Sequence, residues 1–572
     1  VCPIEHARME KRTVLQWDKD DCAWMGLVKF DLLGLGMLSA LQFTFDLVAG
    51  ATGETWDFES IPKEEPGVYD MLCRADSIGV FQVESRAQMN TLPRLLPRKF
   101  TDLVIEIALI RPGPVQGGAV HPYLRRRAGE EDVTYAHPAL EPVLKRTLGI
   151  PIFQEQLMQM AMAVGNCSAE DADLLRRAMG SKRGQERISE LKEKLLAGMA
   201  ENGIAPDTAE QLYGTIEAFA SFGFAESHSI SFALLVYLSS WCKLHYPAAF
   251  LAGLLRAQPM GFYSARTLTD DARRHGVRVL RPDVQHSEVH AALEPLGAGT
   301  GTGAPTGRSA CTHFEQDPIG AFDHAAPDTT AEHRRDGGFT VRLGLAEIRG
   351  IEQAVAARIV EARRRGGPFL DLADLARRAD LDRVRIEMLA SADACAGLGL
   401  GRRDALWGAG PAADNRERYL PGISVSVQPP LLPVLSPAEQ TEIDLWSTGV
   451  APGAHPVSFL RRTLDQRGVL RSDRLPHAEA GRRVEVAGLV THRQRPGTAG
   501  GITFLSLEDE SGMVNVIASV GVWTRYRRGA RTSPALIVRG HLERSPQGVV
   551  NIVADHFEAL AAPGKTRSRD FQ

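Results

Sequence analysis

The period of the apolar residues changes once along this chain, and that change constrains the fold more than any single motif. From about residue 67 to 256, apolar residues recur three and four apart, as in QEQLMQMAMAV (154–164) and ISELKEKLLAGMAENG (188–203). Both read as helices, the second stopping at Gly203. Ser168, followed three positions on by Asp171, forms a capping-box pattern with Asp in the Glu role. Between 482 and 558 the period is two: VEVAGLV, ITFLSLED, MVNVIAS, ALIVRGHL and VVNIVADHF are short β-branched runs separated by turn residues. Five such strands, with a gap between the third and fourth, fit a small closed barrel. Two aperiodic stretches divide the chain: 294–338, with GAGTGTGAPTG, and 408–439, with PGISVSVQPPLLPVLSP. The fold class read from this pattern is α+β and multi-domain.

At 572 residues the chain exceeds one hydrophobic core. Hydrophobic residues at 44% and charged residues at 24% exclude a wholly disordered chain. A net charge of −4 excludes a uniformly basic coat, though not local basic faces. The 7 cysteines contain no C-x-x-C pair, which supports neither a zinc ribbon nor a disulfide framework and points to a reducing compartment. The most apolar stretch, 230–255, is interrupted by Lys243, His245 and Pro247 and reads as buried core helices. A cytoplasmic protein without a membrane partner is expected.

Candidate site residues fall in five places. Asp18, Asp20 and Asp21 make a D-x-D-D that reads as a metal cluster or as a solvated turn. Asp31 follows the apolar run GLVKF, so its carboxylate needs a metal ion or a cation such as Lys29 to offset burial. Arg111 opens RPGPVQGG, a Pro-Gly loop ahead of Arg125, Arg126 and Arg127; it reads as a phosphate-approaching loop or as a plain turn. Arg176, Arg177, Lys182, Arg183 and Arg187 crowd around a Gly-Ser break, a density suited to a polyphosphate. His228 lies between Ser227 and Ser229, with no nucleophile elbow or buried Asp to make it a hydrolase.

Further on, two short helices joined at Arg349-Gly350-Ile351 read as a helix-hairpin-helix unit, whose glycine turn offers backbone N–H groups to a DNA phosphate. Glu352 stands where a second glycine is usual. In the barrel, Phe504, Trp523 and Tyr526 with Arg525, Arg527, Arg528 and Arg531 are candidates for stacking on and neutralising a single strand.

Taken in order, QWDKDD…GLVKFDLLGLG, GVFQVESR, ALIRPGP, PIFQEQLMQMA, LLRRAMGSKR, FGFAESHS, KLHYPAAF and the barrel string THRQRPGTAGGITFLSLEDESGMVNVI resemble the catalytic subunit of bacterial family-C DNA polymerases. With the ending SRDFQ, the resemblance is to the error-prone, damage-induced branch. It implies primer extension with dNTPs on a primed DNA template by a two-Mg²⁺ mechanism in damage-induced mutagenesis and translesion synthesis. Asp31 matches the third catalytic aspartate and so a Mg²⁺ ligand, while Asp18 and Asp20 do not match ligands. Lys29, Arg176, Arg177, Lys182, Arg183 and His228 match the nucleotide-gripping region, and Arg111, Arg349, Gly350, Phe504, Arg525, Arg527 and Arg528 are assigned to DNA. Accessory mutagenesis proteins and a sliding clamp are implied as partners.

The resemblance also implies a palm remnant (1–50), mainly helical fingers (51–290), a loose insertion (291–338), a helix-hairpin-helix module (339–407), a Pro-rich linker (408–440), a connecting helical segment (441–481), an OB-fold (482–560) and a tail (561–572). The P-D-x-D-x-D-F-type string that carries the family's first two aspartates does not precede Asp31. The sequence therefore looks like the C-terminal half of a longer polymerase, and the isolated chain is expected to extend no primer. The competing expectation is a non-enzymatic DNA-binding module built from the hairpin and the OB-fold.

Overall fold

The computed structural model describes residues 2–7, 12–17, 19–28, 32, 34–110, 120–178, 188–219, 224–296, 319–414, 430, 433–496, 499–545, 548–562 and 569–571. Strands β1 (Ile4–His6) and β2 (Thr13–Leu15) form an exposed antiparallel hairpin at the start.

The first core is organised by the helix Glu226–His245, whose residues from Leu235 to His245 are all buried. It continues through Pro247 into the helix Pro247–Arg256, so the 230–255 stretch is core, as its interrupted apolarity indicates. Pro247 takes the first helical turn, where its missing N–H costs nothing. Two of that turn's free N–H groups, Ala248 and Ala249, donate to Asp336 Oδ2 at 2.7 and 3.0 Å.

The helix Leu35–Thr52 has the length and hydropathy of a membrane span. It nevertheless buries Met37, Ala40, Leu41, Phe45 and Val48 in this core. Gly253 on Pro247–Arg256 allows the close approach: a Cβ there would lie 2.4 Å from Thr44 Oγ1 and 2.6 Å from the Ala40 carbonyl. Residues 35–50, within the stretch expected to be a palm remnant, therefore form an integral core helix. Before it, Trp24, Val28 and Leu32 are exposed.

A second core holds Leu140, Leu157, Met160, Val164, Leu175, Leu195 and Tyr213. Here the capping box exists as read: Ser168 N and Oγ both donate to Asp171 Oδ2 at 2.8 Å, and Asp171 N donates back to Ser168 Oγ at 3.2 Å.

The 291–338 insertion is anchored at both ends. Strands β3 (Val279–Leu280), β4 (Ala292–Pro295) and β5 (Phe339–Arg342) form one small sheet in the order β3-β5-β4. Asp336 is fully buried at its helix cap. The stretch is thus loose in composition but tied down where it meets buried N–H groups. The helix-hairpin core likewise begins before 339, because Val284 packs with Ile348, Val355, Ile359 and Leu389, and the Gln285 side chain bridges the Phe369 backbone at 2.7 and 2.9 Å.

The C-terminal strands are β6 (Arg483–Gln494), β7 (Thr503–Glu508), β8 (Met513–Ala518), β9 (Ala535–Arg544) and β10 (Val550–Ala559), with β11 (Arg569–Phe571) added beside β6. They pair in the order β6-β7-β8-β10-β9 and close by a β6–β9 ladder, leaving no free edge between them. The gap seen in the strand pattern is the helix Val520–Thr532, capped by Ser519 Oγ.

Candidate nucleotide and nucleic-acid interface

The segment that follows Asp31 enters a cleft of about 400 Å³ lined by Gly34, Gly36, Phe81, Gln82, Glu84, Ser85, Gln88, Met260 and Phe262. Gly34 has φ 86°, and a Cβ on it would meet Phe81 at 3.4 Å and Leu235 at 3.2 Å, so only glycine passes this point without strain. The loop carrying Phe81 is held by its own polar groups. Gly79 N donates to Glu84 Oε2 at 3.0 Å, Phe262 N to Glu84 Oε1 at 2.8 Å, and Phe81 N to Ser239 Oγ at 3.1 Å.

Phe81 packs edge-on against Phe232 at 5.1 Å, and Phe232 lies 4.2 Å from the His228 ring, which Phe224 contacts at 5.3 Å. A short aromatic chain therefore joins the stretch after Asp31 to His228. The neighbouring Ser229 hydroxyl donates to the Val104 carbonyl at 2.6 Å, so it is committed to structure, in keeping with the absence of a hydrolase motif.

Arg176 and Arg177 end the helix Ala169–Ala178. Their Nε atoms donate to the two oxygens of Asp173 at 2.9 and 2.7 Å, and these bonds hold the Asp173 carboxyl below the usual range. Both guanidinium groups are largely in water, with side chains 48% and 71% exposed, so their pairing is readily exchanged for a phosphate. Lys29, Asp31, Arg111, Lys182 and Arg183 lie outside the described residues, as does Asp18.

In the hairpin, Gly350 takes φ 80°, and a Cβ on it would lie 3.2 Å from Met388 Cγ. Of the two short helices expected, the one before it is a single 3-10 turn, Leu345–Glu347, and the one after it is the α-helix Gln353–Gly366. Arg349 is turned onto the Trp446 ring at 5.1 Å, its N–H donating to Ser447 O at 2.7 Å. Glu352 occupies the N-cap position, 3.6 Å from Arg385.

The barrel departs furthest from expectation. One face of the Phe504 ring is covered by the Arg86 guanidinium at 4.9 Å. Trp523 and Tyr526 pack on the barrel core, with His556 Nδ1 2.8 Å from the Tyr526 hydroxyl. A helix buries one stripe and exposes the opposite one. Arg525, Arg527 and Arg528 accordingly stand exposed on the outer side of Val520–Thr532, along with Arg531.

A buried network of charges, scattered in sequence, joins the barrel to the helical part. Lys243 Nζ lies 2.7 Å from Asp76 and 2.8 Å from Asp271, and His275 Nε2 lies 2.5 Å from Asp76. Arg274 bridges Asp271 (3.3 Å) to the fully buried Glu508 (3.4 Å), and Arg266 bridges Glu508 (3.0 Å) to Asp270 (3.3 Å). Beside it the His492 ring stacks on Phe262 at 4.2 Å and 8°.

Residues 37–203 match the family model described as the bacterial DNA polymerase III alpha subunit finger domain. Residues 276–405 match a helix-hairpin-helix motif, and 484–560 an OB-fold nucleic acid binding domain. Proteins named error-prone DNA polymerase match over the full chain: that of Cutibacterium acnes is 60% identical over 577 residues and that of Nocardia farcinica 53% over 581. The chain is homologous over its whole length to error-prone DNA polymerases. It covers 50% and 47% of those two relatives, about half the length of each. The finger match begins at 37, inside the stretch expected to be palm, where Leu35–Thr52 is already a core helix. The hairpin match begins at 276, where strand β3 and Val284 join that unit. The Arg86 contact therefore joins the segment that matches the finger domain to the one that matches the OB-fold.

Proposed function

We propose that this chain forms the nucleotide-gripping and DNA-holding part of an error-prone DNA polymerase that adds dNTPs to a primer 3′-OH during translesion synthesis. The observation that supports this reading is the packing chain Gly34–Phe81–Phe232–His228, which connects the stretch after Asp31 to the proposed nucleotide residue His228. Arg176 and Arg177 would exchange Asp173 for triphosphate oxygens, with Lys182, Arg183 and Lys29 adding charge.

Asp31 is proposed as a Mg²⁺ ligand, and the ions would supply charge stabilisation at the reacting phosphate when bound. A single carboxylate is too few to hold two such ions. The 572-residue chain alone is therefore expected to bind primed DNA weakly and to extend no primer. Gly350 and Arg349 would hold duplex, while Arg525, Arg527 and Arg528 would meet single-stranded template. Accessory mutagenesis proteins, a sliding clamp and a cytoplasmic setting complete the proposal.

Photocrosslinking of an azido-dNTP to the purified chain, followed by peptide mapping, tests it. Labelling around 172–187 that unlabelled dNTP competes away supports the reading. Salt-dependent DNA binding without any nucleotide labelling would favour the non-enzymatic DNA-binding module instead.

A further inference from the structure

Among the described residues, three groups of carboxylate and imidazole side chains lie close enough to share a cation: Glu65–His245–His333, Asp76–Asp271–His275 and Asp270–His455–Glu508. The second is already neutralised, since Lys243 sits 2.7 Å from Asp76 and 2.8 Å from Asp271. The third contains Arg266, 3.0 Å from Glu508 and 3.3 Å from Asp270. Its His455 also accepts the Val457 amide N–H on Nδ1 at 3.2 Å, which puts the ring proton on Nε2 and leaves no lone pair there for a metal.

The first group differs on both counts. Among the described residues, no Lys or Arg forms an ion pair with the Glu65 carboxylate. Its oxygens meet His245 Nε2 at 2.9 and 3.0 Å, His333 Nδ1 at 3.6 Å and the Trp241 indole N–H at 2.9 Å. His245 Nδ1 lies 3.0 Å from the His333 carbonyl oxygen. Donating its N–H there leaves the Nε2 lone pair directed at Glu65.

We propose that Glu65 (one carboxylate oxygen), His245 (Nε2) and His333 (Nδ1) bind one divalent transition-metal ion of the Zn²⁺ class. The three ligand atoms lie within 4.8 Å of one another. Tetrahedral Zn²⁺ with bonds near 2.0–2.1 Å separates neighbouring ligands by about 3.3 Å. The present separations of 2.9 and 3.6 Å bracket that value. The two rings converge at 81° with centroids 5.7 Å apart, so their lone pairs can aim at one point.

The outer shell is also in place. Metal-bound histidines characteristically donate their second N–H to a carbonyl or carboxylate, as His245 can to the His333 carbonyl, and the Trp241 N–H orients the carboxylate. Gly67 makes room for the third ligand: a Cβ there would lie 2.7 Å from His333 Cε1 and 2.8 Å from Nε2. The His333 side chain is 34% exposed, which provides an entry path. Two imidazoles and one carboxylate suit Zn²⁺ and leave a fourth position for water. The ion would staple the start of the helix Pro66–Cys73, the end of Glu226–His245 and the turn Thr330–His333 that closes the 291–338 insertion.

The test is Co²⁺ titration of the untagged full chain, read as the intense visible absorption of tetrahedral Co²⁺, followed by displacement with Zn²⁺. One Co²⁺ per chain with that absorption is expected, with a Zn²⁺-dependent rise in thermal midpoint. His333→Ala, at a partly exposed turn, should lower affinity more than about tenfold and abolish the thermal rise. Gly67→Ala leaves all three ligands in the chain but pushes His333 away, and should weaken binding in the same direction. Absence of the tetrahedral band in the wild-type chain would overturn the proposal. So would equal uptake by His333→Ala, which would locate the ion at other histidines.

Discussion

Arg86 and Phe504 face each other across the join between finger domain and barrel, the guanidinium carbon 4.9 Å from the ring centre. Arg86 Nη1 also donates to the carbonyl oxygens of Leu505 (3.0 Å) on β7 and Val516 (2.9 Å) on β8. Burial lowers the proton affinity of this guanidinium, and the ring and the two carbonyls offset part of that cost. An arginine so placed covers one face of the Phe504 ring.

Removing the partner should therefore cost stability rather than DNA binding. Arg86→Ala is expected to lower the unfolding free energy by about 2–3 kcal/mol, read as a shifted urea midpoint. Phe504→Ala should leave single-strand affinity nearly unchanged, whereas loss of a true stacking residue would cost about 1–3 kcal/mol. Fluorescence anisotropy with an oligothymidylate separates the two.

The exposed arginines of Val520–Thr532 carry the opposite expectation. Arg525→Glu, Arg527→Glu and Arg528→Glu together should reduce single-strand affinity and flatten its salt dependence, by about 0.7 in the log–log slope for each phosphate no longer neutralised. Their thermal midpoint should stay close to that of the parent, because none of the three is buried.

The buried network predicts a pH dependence with a definite sign. Burial alone would lower His275, but the Asp76 carboxylate beside it prevails and holds it up to about 8. Burial, aided by the charge of Glu508, pushes Asp270 up to about 7. A folded-state pKa above the unfolded one stabilises below the unfolded value, and that gain is lost as pH rises through the folded value. For His275 the window runs from about 6.5 to about 8 and is worth about 2 kcal/mol. For Asp270 the loss is complete by pH above about 7. Urea midpoints should fall between about pH 6 and pH 8.5, and His275→Gln should flatten the upper part of that fall.

Much of the architecture was legible because its signals are local. The Ser168–Asp171 box, the barrel strands and the core character of 230–255 each rest on spacings of two to four residues. The misreadings involve partners far apart in sequence. Arg86 and Leu505 are separated by 419 positions, so nothing around Phe504 announces that its ring is covered. Asp76, Lys243, Asp271, His275 and Glu508 form one network only after folding. The 291–338 stretch looks loose because composition reports on most of its residues, whereas its end is decided by Asp336 finding two free helix N–H groups. Local patterning likewise does not show that Leu35–Thr52 packs into the core built around Glu226–His245.

Asp336→Ala should accordingly be among the costlier single changes outside the proposed DNA and nucleotide sites. It removes both cap bonds on Pro247–Arg256 and leaves Arg334, now 2.9 Å from Asp336 Oδ1, without that partner. A loss of about 1–2 kcal/mol in unfolding free energy is expected by chemical denaturation, with Asp336→Asn recovering part of it.

The role proposed for Asp31 is that of a carboxylate ligand in a polymerase metal site. Its most direct test joins this sequence to the upstream half of an error-prone DNA polymerase, changes Asp31→Asn, and measures primer extension in Mg²⁺. Synthesis in the parent that falls to background in the variant, with DNA binding retained, is the predicted result. Extension by the Asp31→Asn protein at the parent's rate would contradict the account.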